Sequence, residues 1–223
     1  MKLKKIVSLA LAGVLAVSML AGCATQEETN PPVITPVDNS FAAAVNEEMS
    51  PATKNVLTFS SDATLASTLN KVADKVASST LVDVTKAGFV STTDAEDFRH
   101  LMGIGRTNSL MLGTDNIYYD PFTTGAYKYF STASSATTVA DLVVVPGNLT
   151  EEGVAEYVAD AAEDLIVAKR MPATGTVATT GKTYRYAYTG NIAMVKVDNL
   201  GGDFSAYIVA LTVTQTPTEV TNV

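Results

Sequence analysis

The pattern of apolar positions divides this chain into three stretches. Residues 6–22 are almost entirely apolar or small, and Lys2, Lys4 and Lys5 precede them. Residues 24 to about 55 carry few large apolar side chains and contain Pro31, Pro32, Pro36 and Pro51. From about residue 56 onward, helical and strand periodicities alternate.

Three helices follow from apolar stripes. Leu65, Leu69, Val72 and Val76 recur at spacings of four, three and four, which predicts a helix over 62–78 with Ser61 as its cap. A second helix is expected over 94–102. Thr93 and Glu96 form a capping box there, Phe98, Leu101 and Met102 make an apolar side, and Gly103 ends it. The clearest helix covers 151–169, capped by Thr150, stapled by Leu149 on Val154 and stopped at Met171-Pro172.

Short runs of strand-forming residues between turn signals predict strands at 81–85, 109–112, 116–119, 126–130 and 142–145. Three more follow at 184–189, 193–197 and 206–213, with Gly190-Asn191 and residues 199–203 as turns. The expected fold class is α+β, with helices packed on one face of a mainly antiparallel sheet in a single domain. The expected organisation is a signal peptide over 1–22, a disordered tether over 23–55, the domain over 56–213 and a flexible, Thr-rich tail over 214–223.

Charge narrows the partners. All 23 acidic residues follow Cys23, whereas three of the 15 basic residues precede it. The part after residue 22 therefore has a net charge of about −11. Nucleic acid requires a basic surface and is excluded on this count. An electrostatic grip on anionic lipid is disfavoured for the same reason.

The basic start, the apolar run and the sequence Leu20-Ala21-Gly22-Cys23 together resemble the signal and lipobox of bacterial lipoproteins. The resemblance covers about the first 23 residues. It implies that Cys23 receives a diacylglyceryl group and becomes the first residue of the mature chain. The expected location is then the extracytoplasmic face of a bacterial cell membrane, held by lipid on Cys23. Two acyl chains make a stable anchor where one is marginal. Because Cys23 is the only cysteine, lipidation would leave no thiol for a disulfide or a nucleophile. Over about residues 100–197, the order of elements and the run Gly190-Asn191-Ile192-Ala193-Met194-Val195 are similar to a family of uncharacterised lipoprotein domains of Gram-positive anaerobes. That family has no assigned activity.

Little in the sequence points to catalysis. His100 is the single histidine. It lies four residues after Glu96 and three after Asp97, so the three share a helix face, but zinc needs three or four well-held ligands. There is no Gly-x-Ser-x-Gly turn and no Ser-x-x-Lys. No cofactor, metal or catalytic residue is assigned. The tyrosines carry the most suggestive pattern. Tyr184, Tyr186 and Tyr188 alternate on one strand face, as do Tyr127 and Tyr129 on another. Exposed rows of this kind would stack on sugar rings or grip a peptide.

The expected function is a non-catalytic ligand-binding or envelope-assembly lipoprotein with a protein, peptide or glycan partner. Two alternatives stay open: a small envelope hydrolase using carboxylates or His100, and a structural accessory subunit of a surface complex.

Overall fold

The structure, a computed structural model, describes residues 31–36, 40–80, 82–90, 93–106, 108–109, 130, 133–163, 171–200 and 204–221. The predicted strand at 116–119 lies outside the described residues, as do 110–112 of the strand predicted at 109–112, 126–129 of the one predicted at 126–130, Cys23 and the signal segment. In chain order the elements are β1 (Val33–Pro36), α1 (Ser40–Glu48), α2 (Pro51–Lys54), β2 (Phe59–Ser61), α3 (Ala63–Ala77), β3 (Gly88–Phe89), α4 (Thr93–Leu101), β4 (Thr137–Pro146), α5 (Glu151–Ala161), β5 (Thr174–Val177), β6 (Lys182–Asp198) and β7 (Ala206–Glu219).

One sheet joins all the strands, and the fold is α+β. β6 pairs antiparallel with β7 from Tyr184 opposite Glu219 to Val197 opposite Ala206. β7 pairs antiparallel with β4, and β4 with β3. On its other edge β6 receives β5, β2 and β1 end to end, of which only β2 runs parallel.

The sheet is covered on both faces, which corrects the expectation of helices on one face. On one side α1 and α5 pack over Ile192, Met194, Val209, Leu211, Val143 and Val145. On the other, α3 and α4 pack over Val195, Val197, Ile208, Ala210, Leu142 and Val144. The runs 142–145 and 206–211 explain this arrangement, since consecutive apolar residues put greasy side chains on both faces of a strand. The second face is only half covered. Beyond Asn191 and Thr212 it presents Thr189, Thr214, Thr216, Arg185 and Thr218 in register across β6 and β7. Thr138 of β4 shares a 2.8 Å hydrogen bond with Thr214 there.

Three predicted boundaries change. The first described element, β1, starts at Val33, well inside the predicted tether. β1 pairs with β6, and Phe41, Ala42, Val45 and Met49 enter the core. The short run Phe41-Ala42-Ala43-Ala44-Val45 supplies enough burial to order a segment whose prolines read as unstructured. At the other end, the predicted tail from Thr214 is strand as far as Glu219, because β6 extends to Lys182 and offers it a partner. Finally, Gly190-Asn191 is no turn but the middle of β6. Gly190 is required there by close packing: a Cβ would lie 2.6 Å from Phe59 Cδ1 and 3.1 Å from Leu57 Cδ1.

Local rules were followed elsewhere with small shifts. Asp62, not Ser61, caps α3, accepting from the Leu65 N–H at 2.7 Å. Thr150 caps α5 as expected, accepting from the Gly153 N–H at 3.1 Å. Residues 82–85 form bends and turns rather than a strand. On α4 Leu101 faces solvent, and Arg99 takes a buried place beside Phe98.

The packing at Gly190 yields a test. Gly190→Ala should lower stability by about 1–3 kcal/mol, the usual cost of overpacking a filled core. Gly88→Ala, whose Cβ would meet nothing within 4 Å, should shift the urea midpoint far less.

Candidate functional site

The tyrosine row of β6 lies inside the molecule. Tyr184, Tyr186 and Tyr188 are 8%, 6% and 9% exposed and belong to the core that α1 and α5 also help to build. The expectation of an exposed stacking row on this strand is therefore corrected. Strand alternation showed that the three share a face, but not that the face would be covered. Tyr127 and Tyr129 lie outside the described residues.

Buried tyrosines need partners for their hydroxyls, and Tyr188 has two. Its Oη donates to Pro172 O at 2.8 Å and accepts from Gln215 Nε2 at 3.0 Å. Gln215 stands directly opposite on β7 and also donates to Phe130 O at 2.6 Å. The Phe130 ring meets Tyr188 edge-on, with centroids 5.4 Å apart. Tyr186 Oη and Gln215 Oε1 are buried without a hydrogen-bond partner. Burial, reinforced by Tyr186 and opposed by the Gln215 hydrogen bond, pushes the Tyr188 hydroxyl up to about 12. Tyr186 is also raised, first by burial and then by Tyr184. This end of the core is polar yet uncharged at neutral pH.

The His100 face does not assemble a metal centre. His100 is exposed at the end of α4. Asp97 is occupied instead by Arg106 at 2.7 Å and Lys75 at 3.0 Å, and these two cations hold its carboxyl below the ordinary range. Lys75 also pairs with Asp94 at 3.1 Å, which ties α3 to α4. Among the described residues no group of three or more His, Cys, Asp or Glu side chains is placed to hold a metal ion.

The charged pair that sequence reasoning missed is Arg99 with Asp141. Both are 1% exposed, with Arg99 Nη1 at 3.4 Å from Asp141 Oδ1. Ser109 Oγ donates to the same carboxylate oxygen. Arg99 also donates to Ala140 O at 3.2 Å and to Arg106 O at 2.6 Å. The pair sits on the outer edge of β4, beyond the short reach of β3. There Asn108 O accepts from the Ala140 N–H, and Leu142 O accepts from the Val90 N–H. Arg99 and its neighbours thus supply the hydrogen bonds that a further strand would give. One signal was legible: Asp141 interrupts the apolar run Val139-Ala140-Asp141-Leu142-Val143. The carboxylate is engaged by a cation and a hydroxyl, an arrangement that locks structure rather than moves protons.

Comparison with protein-family models, with curated proteins and with solved structures finds no match to this chain. The Gly190-Asn191 turn on which the resemblance over residues 100–197 drew is continuous strand.

Two outcomes follow. Arg99→Ala should cost about 3–5 kcal/mol, because it leaves Asp141 buried without its cation. Chemical denaturation measures this. Stability should also fall as pH rises from about 10 to 12. The unfolded tyrosine loses its proton near 10 while the folded Tyr188 holds it to about 12, so the unfolded state binds fewer protons across that window. Tyr188→Phe should flatten the slope of the urea midpoint between those pH values, with tyrosinate absorbance reporting the titration.

Proposed function

We propose that this protein is an extracytoplasmic lipoprotein, held to the membrane by diacylglyceryl on Cys23 and serving as a non-catalytic envelope module. The observation that carries the reading is the ordered set of Lys2, Lys4 and Lys5, the apolar run and Leu20-Ala21-Gly22-Cys23. The strong acidic excess after Cys23 fits a body held by lipid rather than by basic residues. A non-catalytic role is favoured because the buried charged groups among the described residues are all engaged: Arg99 with Asp141 and backbone, and Asp94 with Lys75.

The folded body also sets the scale of the tether. Val33 is ten residues after Cys23, so the chain between them spans at most about 35 Å, however it is arranged. A body at that distance works close to the bilayer rather than far out in the envelope.

Metabolic labelling with an alkyne fatty acid tests the anchor. The full chain should take up the label and fractionate with membranes, and Cys23→Ser should lose both properties. Label retained in Cys23→Ser would overturn the reading.

A further inference from the structure

Several exposed apolar side chains gather at one end of the sheet. Val33 is 49% exposed, Leu149 40% and Phe204 53%. Their positions are fixed by register. Val33 pairs with Asp198, the last residue of β6. Phe204 immediately precedes the start of β7, and its carbonyl accepts from the Leu200 N–H at 3.0 Å. Leu149 follows β4, whose last residue Pro146 stands opposite Ala206. The Gly147 N–H donates to Ser205 O at 2.9 Å, which brings the turn carrying Leu149 against the one carrying Phe204. Leu149 was expected to staple onto Val154, but it remains half out in solvent while Val154 is fully buried.

We infer that this end of the sheet, with Phe204, Leu149 and Val33 at its tip, docks into the surface of a lipid bilayer. The inference rests on the reading of Cys23 as the anchor and gives it an orientation. The argument for lipid as the occupant is where the chain enters: β1 begins at Val33, within the apolar tip, ten residues after Cys23. A lipid on Cys23 therefore holds Val33, and with it this end of the sheet, within about 35 Å of the membrane. Phenylalanine and leucine then enter the boundary between headgroups and acyl chains, as the apolar faces of interfacial anchors do.

Charge selects the lipid. Glu151 and Glu152 are exposed at the start of α5 beside Leu149. Lys196 and Asp198 neutralise each other at 3.1 Å. The tip thus offers apolar contact without a basic patch, which suits a zwitterionic surface better than an anionic one. The opposite end of β7, near Val220, lies about 45 Å away along the strand and should stay in water.

The chain contains no tryptophan, so a single substitution makes a clean probe. Full-length Phe204→Trp and, separately, Val220→Trp are isolated from cell membranes and placed in phosphatidylcholine vesicles with or without brominated acyl chains. Acylation of Cys23 is read by mass on the same samples. The docked end predicts that Phe204→Trp shifts to the blue and loses roughly half its emission to bromine, a depth expected of an interfacial side chain. Val220→Trp should be unaffected, and adding Leu149→Ser to Phe204→Trp should weaken the quenching. An acylated protein whose Phe204→Trp is not quenched overturns the docking but leaves the anchor standing. A blue shift without quenching overturns it too, since it means that another copy of the protein covers the tip. If Cys23 carries no lipid, the anchor reading fails. Quenching on added vesicles would then still support an apolar docking end, and its absence would overturn it.

Discussion

The pairing of β6 with β7 is the constraint on which the rest depends. β6 runs unbroken from Lys182 to Asp198, and β7 follows it along one edge almost to the end. A strand that long leaves its other edge open, and three short strands fill that edge in turn: β5 from the hairpin just before it, and β2 and β1 from far upstream in the chain. The N-terminal segment is ordered for this reason. Its prolines and sparse apolar residues would not hold it alone, but β6 offers a template, and Phe41, Val45 and Met49 find a core already shaped by Ile192 and Met194. Gly190 is where the template must yield, since Phe59 of β2 lies over its bare Cα.

Covering a sheet on both faces creates a second demand, which falls on the edges. A strand buried on both faces cannot leave its outer hydrogen-bonding groups in an apolar setting without large cost. β6 meets this demand with the strands along its edge. Among the described residues the outer edge of β4 carries the two-residue β3, and beyond it Asn108, Val90 and the Arg99 guanidinium satisfy backbone groups. Carrying a cation into that position needs an anion, and Asp141 supplies it. The buried pair is thus a consequence of edge geometry. Its net worth against an apolar pair of equal volume is small or negative, whereas breaking it is costly. It fixes α4 against β4 more than it adds stability.

Local periodicity was a good guide where one interaction dominates. The stripe Leu65, Leu69, Val72 and Val76 is the buried face of α3, and Thr150 caps α5 as its position implied. Errors arose where tertiary contact overrode local chemistry. Gly190-Asn191 looks like a turn until Phe59 explains the glycine. The segment 33–54 looks unstructured until β6 is known to reach it. Tyr184, Tyr186 and Tyr188 were correctly grouped on one face, but alternation is silent about what covers a face. Arg99 and Asp141 were overlooked because they lie 42 residues apart on different elements, and neither belongs to a recognisable spacing. Sequence reading therefore recovered the α+β class and most of the C-terminal strands. It missed the second helical layer, although the unbroken apolar runs 142–145 and 206–211 carried the signal that both faces of those strands need cover.

The two faces of the sheet acquire different meanings once its ends are distinguished. α3 and α4 cover one face only over the half nearest the β6–β7 turn, where Val195, Val197, Ile208 and Ala210 require burial. Over the other half that face turns to Thr189, Thr214, Thr216 and Thr218, which need no cover and present hydroxyls to water. In the proposed orientation the apolar tip meets the bilayer, and this bare hydroxyl-bearing half is the part held farthest from it. β-branched threonine suits such a position, because it keeps strand propensity while leaving the surface wettable, and Arg185 beside Thr218 adds to its polarity. A sheet end that resists burial and a sheet end that invites it, joined by two strands that cannot bend apart, make the long hairpin a rigid spacer as well as a core. The direction in which the body stands then follows from the register of β6 and β7 and from the point at which β1 joins them.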